Sequence, residues 1–172
     1  TEHYVVHVLR EDPALVPELD LVMERAGELV GHILYVQAKL LTDDGRELPV
    51  MTFGPISVRP DLQRQGLGTY LLDRSMALAA DLGAGALCIE GNIAFYGRSG
   101  FVPGHALGIR CHGLPDDAPF FLVKELREGF LSGVTGVYHT PAGYFVDEAE
   151  AERFDAAFPP KVKRKLPGQL FD

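Results

Sequence analysis

Apolar residues along the chain change their spacing several times, and each change marks an element. From Glu2 to Arg10, Tyr4, Val5, Val8 and Leu9 recur at helical intervals, and Pro13 and Pro17 forbid continuation. The spacing then becomes that of strands. Leu19 to Arg25 is followed by a tight turn at Ala26-Gly27-Glu28 and by a longer run, Leu29 to Leu41, whose alternation includes His32, Leu34, Val36 and Ala38. Asp43-Asp44-Gly45-Arg46 carries the Asp-Gly hairpin signal, so Leu48 to Val58 is expected to return antiparallel and complete a three-stranded meander. Pro55 has no N–H for a central ladder, which predicts a bulge or splayed segment near Gly54-Pro55.

Thr69 to Leu82 returns to helical spacing, with Leu71, Leu72, Met76, Leu78, Ala79 and Leu82 forming a broad inward stripe and Gly83 and Gly85 ending it. Ala86 to Glu90 is short and apolar, as expected of a buried strand. Because it follows a helical crossover, it should lie parallel to the strand before that helix. Ile93 to Ser99 reads as a short helix, Gly100-Phe101 as the start of a strand, and Phe120 to Leu126 as another strand after the Pro115-Asp116-Asp117 turn. In the tail, a Gly-rich pair of strands flanks Thr140-Pro141-Ala142-Gly143. A helix then runs from Asp147, a good N-cap, to Phe158, and Pro159-Pro160 stops it. The basic run Lys161-Val162-Lys163-Arg164-Lys165 reads as a solvated end.

Chemistry concentrates between Phe53 and Leu82. An apolar strand exits through a charged, proline-marked loop into Gln63-Arg64-Gln65-Gly66-Leu67-Gly68, with a helix directly behind. The first turn of a helix has amides without internal partners and carries the positive end of the helix dipole. Gly66 and Gly68 let an anion approach the main chain closely, so the segment is suited to phosphate. It lacks the Gly-Lys-Ser/Thr of a Walker loop. The third small residue and tight strand-to-helix turn of a Rossmann fingerprint are also missing, since Gly66-x-Gly68 is followed by Leu71 and lies well past Val58.

Two blocks together identify a family. Gln63-x-x-Gly66-x-Gly68, preceded by Ile56-Ser57-Val58-Arg59-Pro60, resembles the pyrophosphate loop of the GNAT N-acetyltransferases. Asn92-Ile93-Ala94-Phe95-Tyr96-Gly97-Arg98-Ser99-Gly100-Phe101 resembles that family's Asn/Asp-x-x-x-Tyr-x-x-x-Gly-Phe segment, in the right order and spacing. The resemblance implies an α/β (α+β) GNAT fold: a mixed central sheet with an antiparallel N-terminal meander, a parallel pair splayed at the family's fourth and fifth strands, and flanking helices. It assigns residues 1–127 to the acetyl-CoA-binding domain and 128–172 to a C-terminal extension packed on it. Members usually open with a strand and a helix before one such as Glu2 to Arg10. Either the sequence omits that beginning or the first strand is replaced, and because the early helical region often meets the acceptor, the acceptor is not named by the letters.

The resemblance further implies acetyl-CoA as cosubstrate, with no metal, and direct attack by a primary amine in a ternary complex. The backbone of Ile56, Ser57 and Val58 would pair with the pantetheine arm. Arg64, Gln65, Gly66, Leu67, Gly68 and Thr69 would cradle the diphosphate, mostly through main-chain N–H groups, and Asn92 would bond the pantetheine or adenine-side arm. Tyr96 matches the tyrosine that protonates the leaving sulfur. The strand of Thr52, Phe53 and Ser57 lacks the glutamate many relatives carry there, so Glu90, at the end of the next strand, is the candidate base, acting directly or through water. A non-catalytic acyl-CoA sensor of the same fold is the alternative, and a nucleotide-binding protein of another class is a third reading.

Composition narrows the partners. Sixteen basic against twenty-four acidic residues give a net charge of −8, which argues against general binding to nucleic acid backbone. No apolar run reaches the roughly 18 residues that span a bilayer and no signal peptide pattern opens the sequence, so no membrane partner and a cytoplasmic location are expected. The expected partner is a small-molecule or peptide amine, and a homodimer is compatible with the family's habits. Cys88 and Cys111 have no metal or redox spacing and are expected as free thiols. His3 and His7 stand one helical turn apart without a third ligand and are read as a solvated face.

Overall fold

Residues 1–160 of this computed structural model are described, and the basic run at Lys161–Lys165 lies outside them. Helix α1 (Glu2–Arg10) precedes strands β1 (Leu21–Arg25), β2 (Glu28–Thr42) and β3 (Glu47–Val58). Then come helix α2 (Leu67–Asp81), strand β4 (Ala86–Glu90) and helix α3 (Ile93–Tyr96). Strands β5 (Val102–Pro103), β6 (Ile109–Cys111), β7 (Phe121–Glu125) and β8 (Gly136–His139) and helix α4 (Glu148–Asp155) complete the chain. One mixed sheet orders them β5-β7-β4-β3-β2-β8-β6, with β1 also on β2. β1 pairs with β2 around Glu28–Ile33 and β8 pairs with it at Lys39–Thr42, so two strands share one long edge.

The meander forms as its turns dictate. Ala26 and Gly27 both have positive φ, as a two-residue hairpin between Arg25 and Glu28 requires. Between β2 and β3 the register slips: Ile33 faces Ile56, but Tyr35 faces Phe53. The extra residue of β3 falls at Gly54-Pro55, where proline cannot donate to the ladder. β3 and β4 run parallel, and Met51↔Leu87 is their one registered pair. Beyond it, towards Val58 and Glu90, the two strands diverge.

Both sheet faces are covered, which explains why β4 is apolar throughout. Leu87 and Ile89 join Leu71, Leu72, Met76 and Ala79 of α2 in one core. Ala86 and Cys88 face the opposite core with Tyr138, Phe121 and Ile109. Each large side chain in these cores contributes about 1.5–3 kcal/mol by leaving water. Buried Ser75 on α2 is satisfied by the Tyr35 hydroxyl at 2.8 Å and by the Leu72 carbonyl.

The structure corrects several sequence expectations. α2 starts at Leu67, ahead of Thr69, because Gly66 with φ 84° caps it. Leu78 and Leu82 are 39% and 49% exposed, and Ser75 takes the inward position, since α2 covers the sheet with a narrower face than the stripe implied. Leu19 ends a 3-10 turn begun by Pro17, so β1 starts at Leu21. The strand expected at Gly100-Phe101 begins at Val102, after Gly100 with φ 86°. Of the paired tail strands only β8 forms, and Thr140-Pro141 leads into a 3-10 turn at Ala142–Tyr144. β6 was not anticipated, since three residues between β5 and the Pro115 turn carry no periodic signal.

His3 and His7 do not simply face solvent. His7 stacks on Phe154 at 4.7 Å and His3 pairs with Asp155 at 3.3 Å. The tail helix α4 is thereby fastened to α1, with the Tyr4 hydroxyl donating to Glu150 at 3.1 Å. Cys88 and Cys111 are free and buried, and no group of three or more His, Cys, Asp or Glu is placed to hold a metal among the described residues. No helix of the described residues is long and apolar enough to cross a membrane.

Candidate active site

The loop between β3 and α2 has its main chain free for a ligand. Residues 63–66 are exposed and 67–69 only partly covered. Arg59 anchors the loop entry, pairing with Glu28 at 2.7 Å and Asp61 at 2.8 Å. Two side-chain amides hold its course: Gln63 donates to the Val58 carbonyl at 3.0 Å and Gln65 to the Asp61 carbonyl at 3.3 Å. Arg64 (φ 59°) and Gly66 (φ 84°) are both left-handed, which turns successive amides towards one side. A Cβ at Gly66 would meet nothing within 4 Å, and no side chain caps α2. The amides of Gly66, Leu67, Gly68 and Thr69 stand at the positive end of α2, where first-turn N–H groups have no helical acceptor.

From this loop the divergence of β3 and β4 leads inward. Ile56, Ser57 and Val58 pair with β2 on one side through His32, Ile33 and Gly31, while their other edge has no partner in β4. A cavity of about 530 Å³ lies where the two strands part. β3 supplies Thr52 to Ile56, β4 supplies Glu90 and α3 supplies Tyr96. α1 closes one side with Glu2 and Val5, and the tail closes another with Tyr138, Thr140, Tyr144 and Phe145.

Tyr96 is placed by local sequence. Asn92 caps α3, its side chain accepting from the Ala94 amide at 2.9 Å, and the Phe95 and Tyr96 amides bond to the Asn92 carbonyl. The following turn is tied to α2 by Ser99 donating to Asp73 at 2.7 Å. Three rings surround the phenol: Phe95 at 4.8 Å, Phe101 at 5.7 Å and Phe53 at 5.8 Å between centroids. This burial pushes the Tyr96 hydroxyl up to about 12, so it stays protonated at neutral pH. Glu90 ends β4 at the cavity wall, and partial burial raises its carboxyl above the ordinary glutamate range. A protonated phenol and a carboxylate of raised basicity, lining one cavity, form a donor and acceptor pair for proton transfer.

The tail's part in this wall was not legible in the letters. The Tyr144 hydroxyl donates to the Gly54 carbonyl at 3.2 Å, at the bulge itself. Burial raises the phenols of Tyr138 and Tyr144. In the sequence Thr140-Pro141-Ala142-Gly143 stands only between two expected strands, and the one signal of a wall here is the aromatic set Tyr138, Tyr144 and Phe145. Cys111 lies beside Thr140, with burial pushing its thiol up to about 11. Of the positions singled out from sequence, Ile56, Glu90 and Tyr96 line the cavity, Asn92 caps the helix that carries Tyr96, Ser57 and Val58 continue β3 past the cavity, and Arg64 to Thr69 form the loop and first turn that follow it.

Comparison with known proteins agrees with this architecture. The chain is 29% identical over 140 residues to the uncharacterized N-acetyltransferase YhbS of Escherichia coli, covering 80% of this chain and 81% of that protein. The crystal structure of YhbS in complex with CoA superposes with a TM-score of 0.72 at 27% identity, covering 83% of this chain and 77% of YhbS. A GNAT family acetyltransferase from Brucella melitensis, solved with acetyl-CoA, shares the fold with a TM-score of 0.62 at 24% identity, over 84% of this chain and 78% of its own. Residues 2–101, which hold α1, the meander, the glycine loop and Tyr96, match the family model described as Acetyltransferase (GNAT) family, and the chain belongs to that family.

Proposed function

We propose that the protein is an acetyl-CoA-dependent N-acetyltransferase that acts on a primary amine by direct attack in a ternary complex. The observation carrying this reading is the fork between β3 and β4, paired at Met51↔Leu87 and unpaired beyond it, with the cavity of Glu90 and Tyr96 at the end of these strands and the exposed glycine loop following β3. CoA in the YhbS crystal structure supports the choice of cosubstrate.

The bound thioester supplies an activated acyl carbon. The amides of Gly66 to Thr69, with Arg64 and Gln65, hold the diphosphate, and the free edge of Ile56 to Val58 receives the pantetheine arm. Asn92, whose side chain caps α3, keeps the turn bearing Tyr96 against that arm. Glu90 takes a proton from the ammonium, directly or through water, to free the attacking lone pair. As the C–N bond forms and the C–S bond breaks, the Tyr96 hydroxyl gives its proton to the departing sulfur, and the second proton released by the nitrogen passes to the Tyr96 oxygen, directly or through water, which restores the phenol. A phenol with its pKa near 12 is a weak acid, and a thiolate leaving into an apolar pocket is a correspondingly willing base.

The test is release of free CoA thiol with a panel of amines, alongside thermal shift with acetyl-CoA. Tyr96→Phe keeps the aromatic packing and is expected to lower kcat about 10²–10⁴-fold with little change in acetyl-CoA binding. The lack of a carboxylate in Val50–Val58 of β3 favours one second reading, a non-catalytic acyl-CoA module. Tight acetyl-CoA binding without turnover on any amine would establish that reading instead.

A further inference from the structure

The cavity's walls are chemically one-sided. Among the described residues lining it, Glu90 and Glu2 are the only side chains charged at neutral pH, and no lysine, arginine or histidine faces it. Aromatic side chains contribute Phe53, Tyr96, Tyr138, Tyr144 and Phe145, the last a residue 75% exposed, beside aliphatic and small polar neighbours. A carboxylate or phosphate on the acceptor would enter without a cation to pair it, and burying an unpaired anion is strongly unfavourable. An ammonium has two carboxylates and several ring faces to meet it. At about 530 Å³, shared with the acetyl end of the thioester, the space fits a compact acceptor.

Resting on the acetyltransferase reading above, we infer that the acceptor is a compact monocationic amine with an aromatic body and no carboxylate, of the arylalkylamine class. Glu90 meets the ammonium, and Phe145 of the tail packs on the aromatic body as it enters. The tail following β8 therefore selects the acceptor.

The experiment compares matched acceptors with the full chain: 2-phenylethylamine, phenylalanine, which differs by one carboxylate, and spermidine, a flexible polycation. The expected kcat/KM for 2-phenylethylamine exceeds that for phenylalanine by about 100-fold and also exceeds that for spermidine. Phe145→Ala, at an exposed position where folding is little affected, is expected to raise KM for 2-phenylethylamine about 5–10-fold at unchanged acetyl-CoA affinity. Phe145→Arg should narrow the gap between phenylalanine and 2-phenylethylamine. Equal or better turnover of phenylalanine or spermidine overturns the inference and leaves the acetyltransferase reading standing. Acetyl-CoA binding without turnover of any amine overturns both. So does the absence of any thermal shift with acetyl-CoA, but at the cofactor loop rather than the acceptor wall.

Discussion

A Cβ on Gly91 would collide with the Cδ2–Cε2 edge of the Tyr96 ring. The phenol thus lies directly over the main chain where β4 ends, and only glycine leaves room for it. Gly91→Ala is expected to cost about 1–3 kcal/mol of stability, as overpacking against a rigid ring does, and to displace the hydroxyl from the cavity with a large loss of turnover. The check is a double-mutant cycle in denaturant unfolding: combined with Tyr96→Ala, the Gly91→Ala penalty should largely vanish. A Cβ at Gly97 meets only the end of the Ile93 side chain, at 3.3 Å, so Gly97→Ala should be far milder.

Glu90 has a raised pKa caused by burial, and the sign of its effect on stability follows. Its folded pKa exceeds the unfolded value of roughly 4.3, so the native state binds more protons in that window and stability falls as pH rises through it. Glu90→Gln should therefore unfold at a higher temperature than wild type near pH 7.5, with the difference closing below about pH 4. In activity the same carboxyl must be ionised to act as base. The acidic limb of kcat should then lie above the ordinary glutamate range and disappear in Glu90→Gln together with most turnover.

Gly66 and Gly68 separate backbone strain from ligand approach. Gly66→Ala places a Cβ at φ 84° and is expected to cost about 1 kcal/mol, with acetyl-CoA affinity falling about 10-fold as the amides turn away. Gly68 lies inside α2, where a Cβ would meet the Phe95 ring at an ordinary 3.5 Å. Gly68→Ala should leave the melting temperature nearly unchanged, so calorimetric loss of acetyl-CoA affinity there reports contact with the ligand.

Arg10, Asp20 and His32 tie α1 to the sheet beside the cavity. Arg10 bonds Asp20 through Nε at 2.8 Å and Nη2 at 3.2 Å, and His32 Nε2 lies 2.7 Å from the same carboxylate. Burial works against the Asp20 charge, but these two partners outweigh it and hold the carboxyl below its usual range. Its stabilisation is present above the unfolded pKa of roughly 3.9 and lost as pH falls through the lower folded value. Asp20→Asn should cost about 1 kcal/mol at pH 7, discounted for the half-exposed arginine, and progressively less as pH falls through the lowered folded value. Because Glu2 and Val5 of α1 line the cavity, KM for the amine should rise while acetyl-CoA affinity holds.

Sequence alone determined the parts whose cause is local. The Asp-Gly turn, the proline bulge of β3, the helix behind Gly66 and the apolar β4 follow from φ preferences, missing donors and hydrophobic period, all acting within a few residues. The two motif blocks marked the glycine loop before α2 and the turn carrying Tyr96 for the same reason, since each is shaped by residues within a few positions of one another. Tertiary structure decided what depends on distant packing. Tyr144 reaches Gly54 across ninety positions of sequence, β8 slips between β2 and β6, and Leu78 is left outside because α2 meets the sheet at one particular rotation. Such contacts depend on which surfaces come together, and no pattern of neighbouring residues encodes them. The glycine loop and the turn that carries Tyr96 were therefore legible in the letters, while the wall of Tyr138, Tyr144 and Phe145 emerged only when the tail folded back over the sheet.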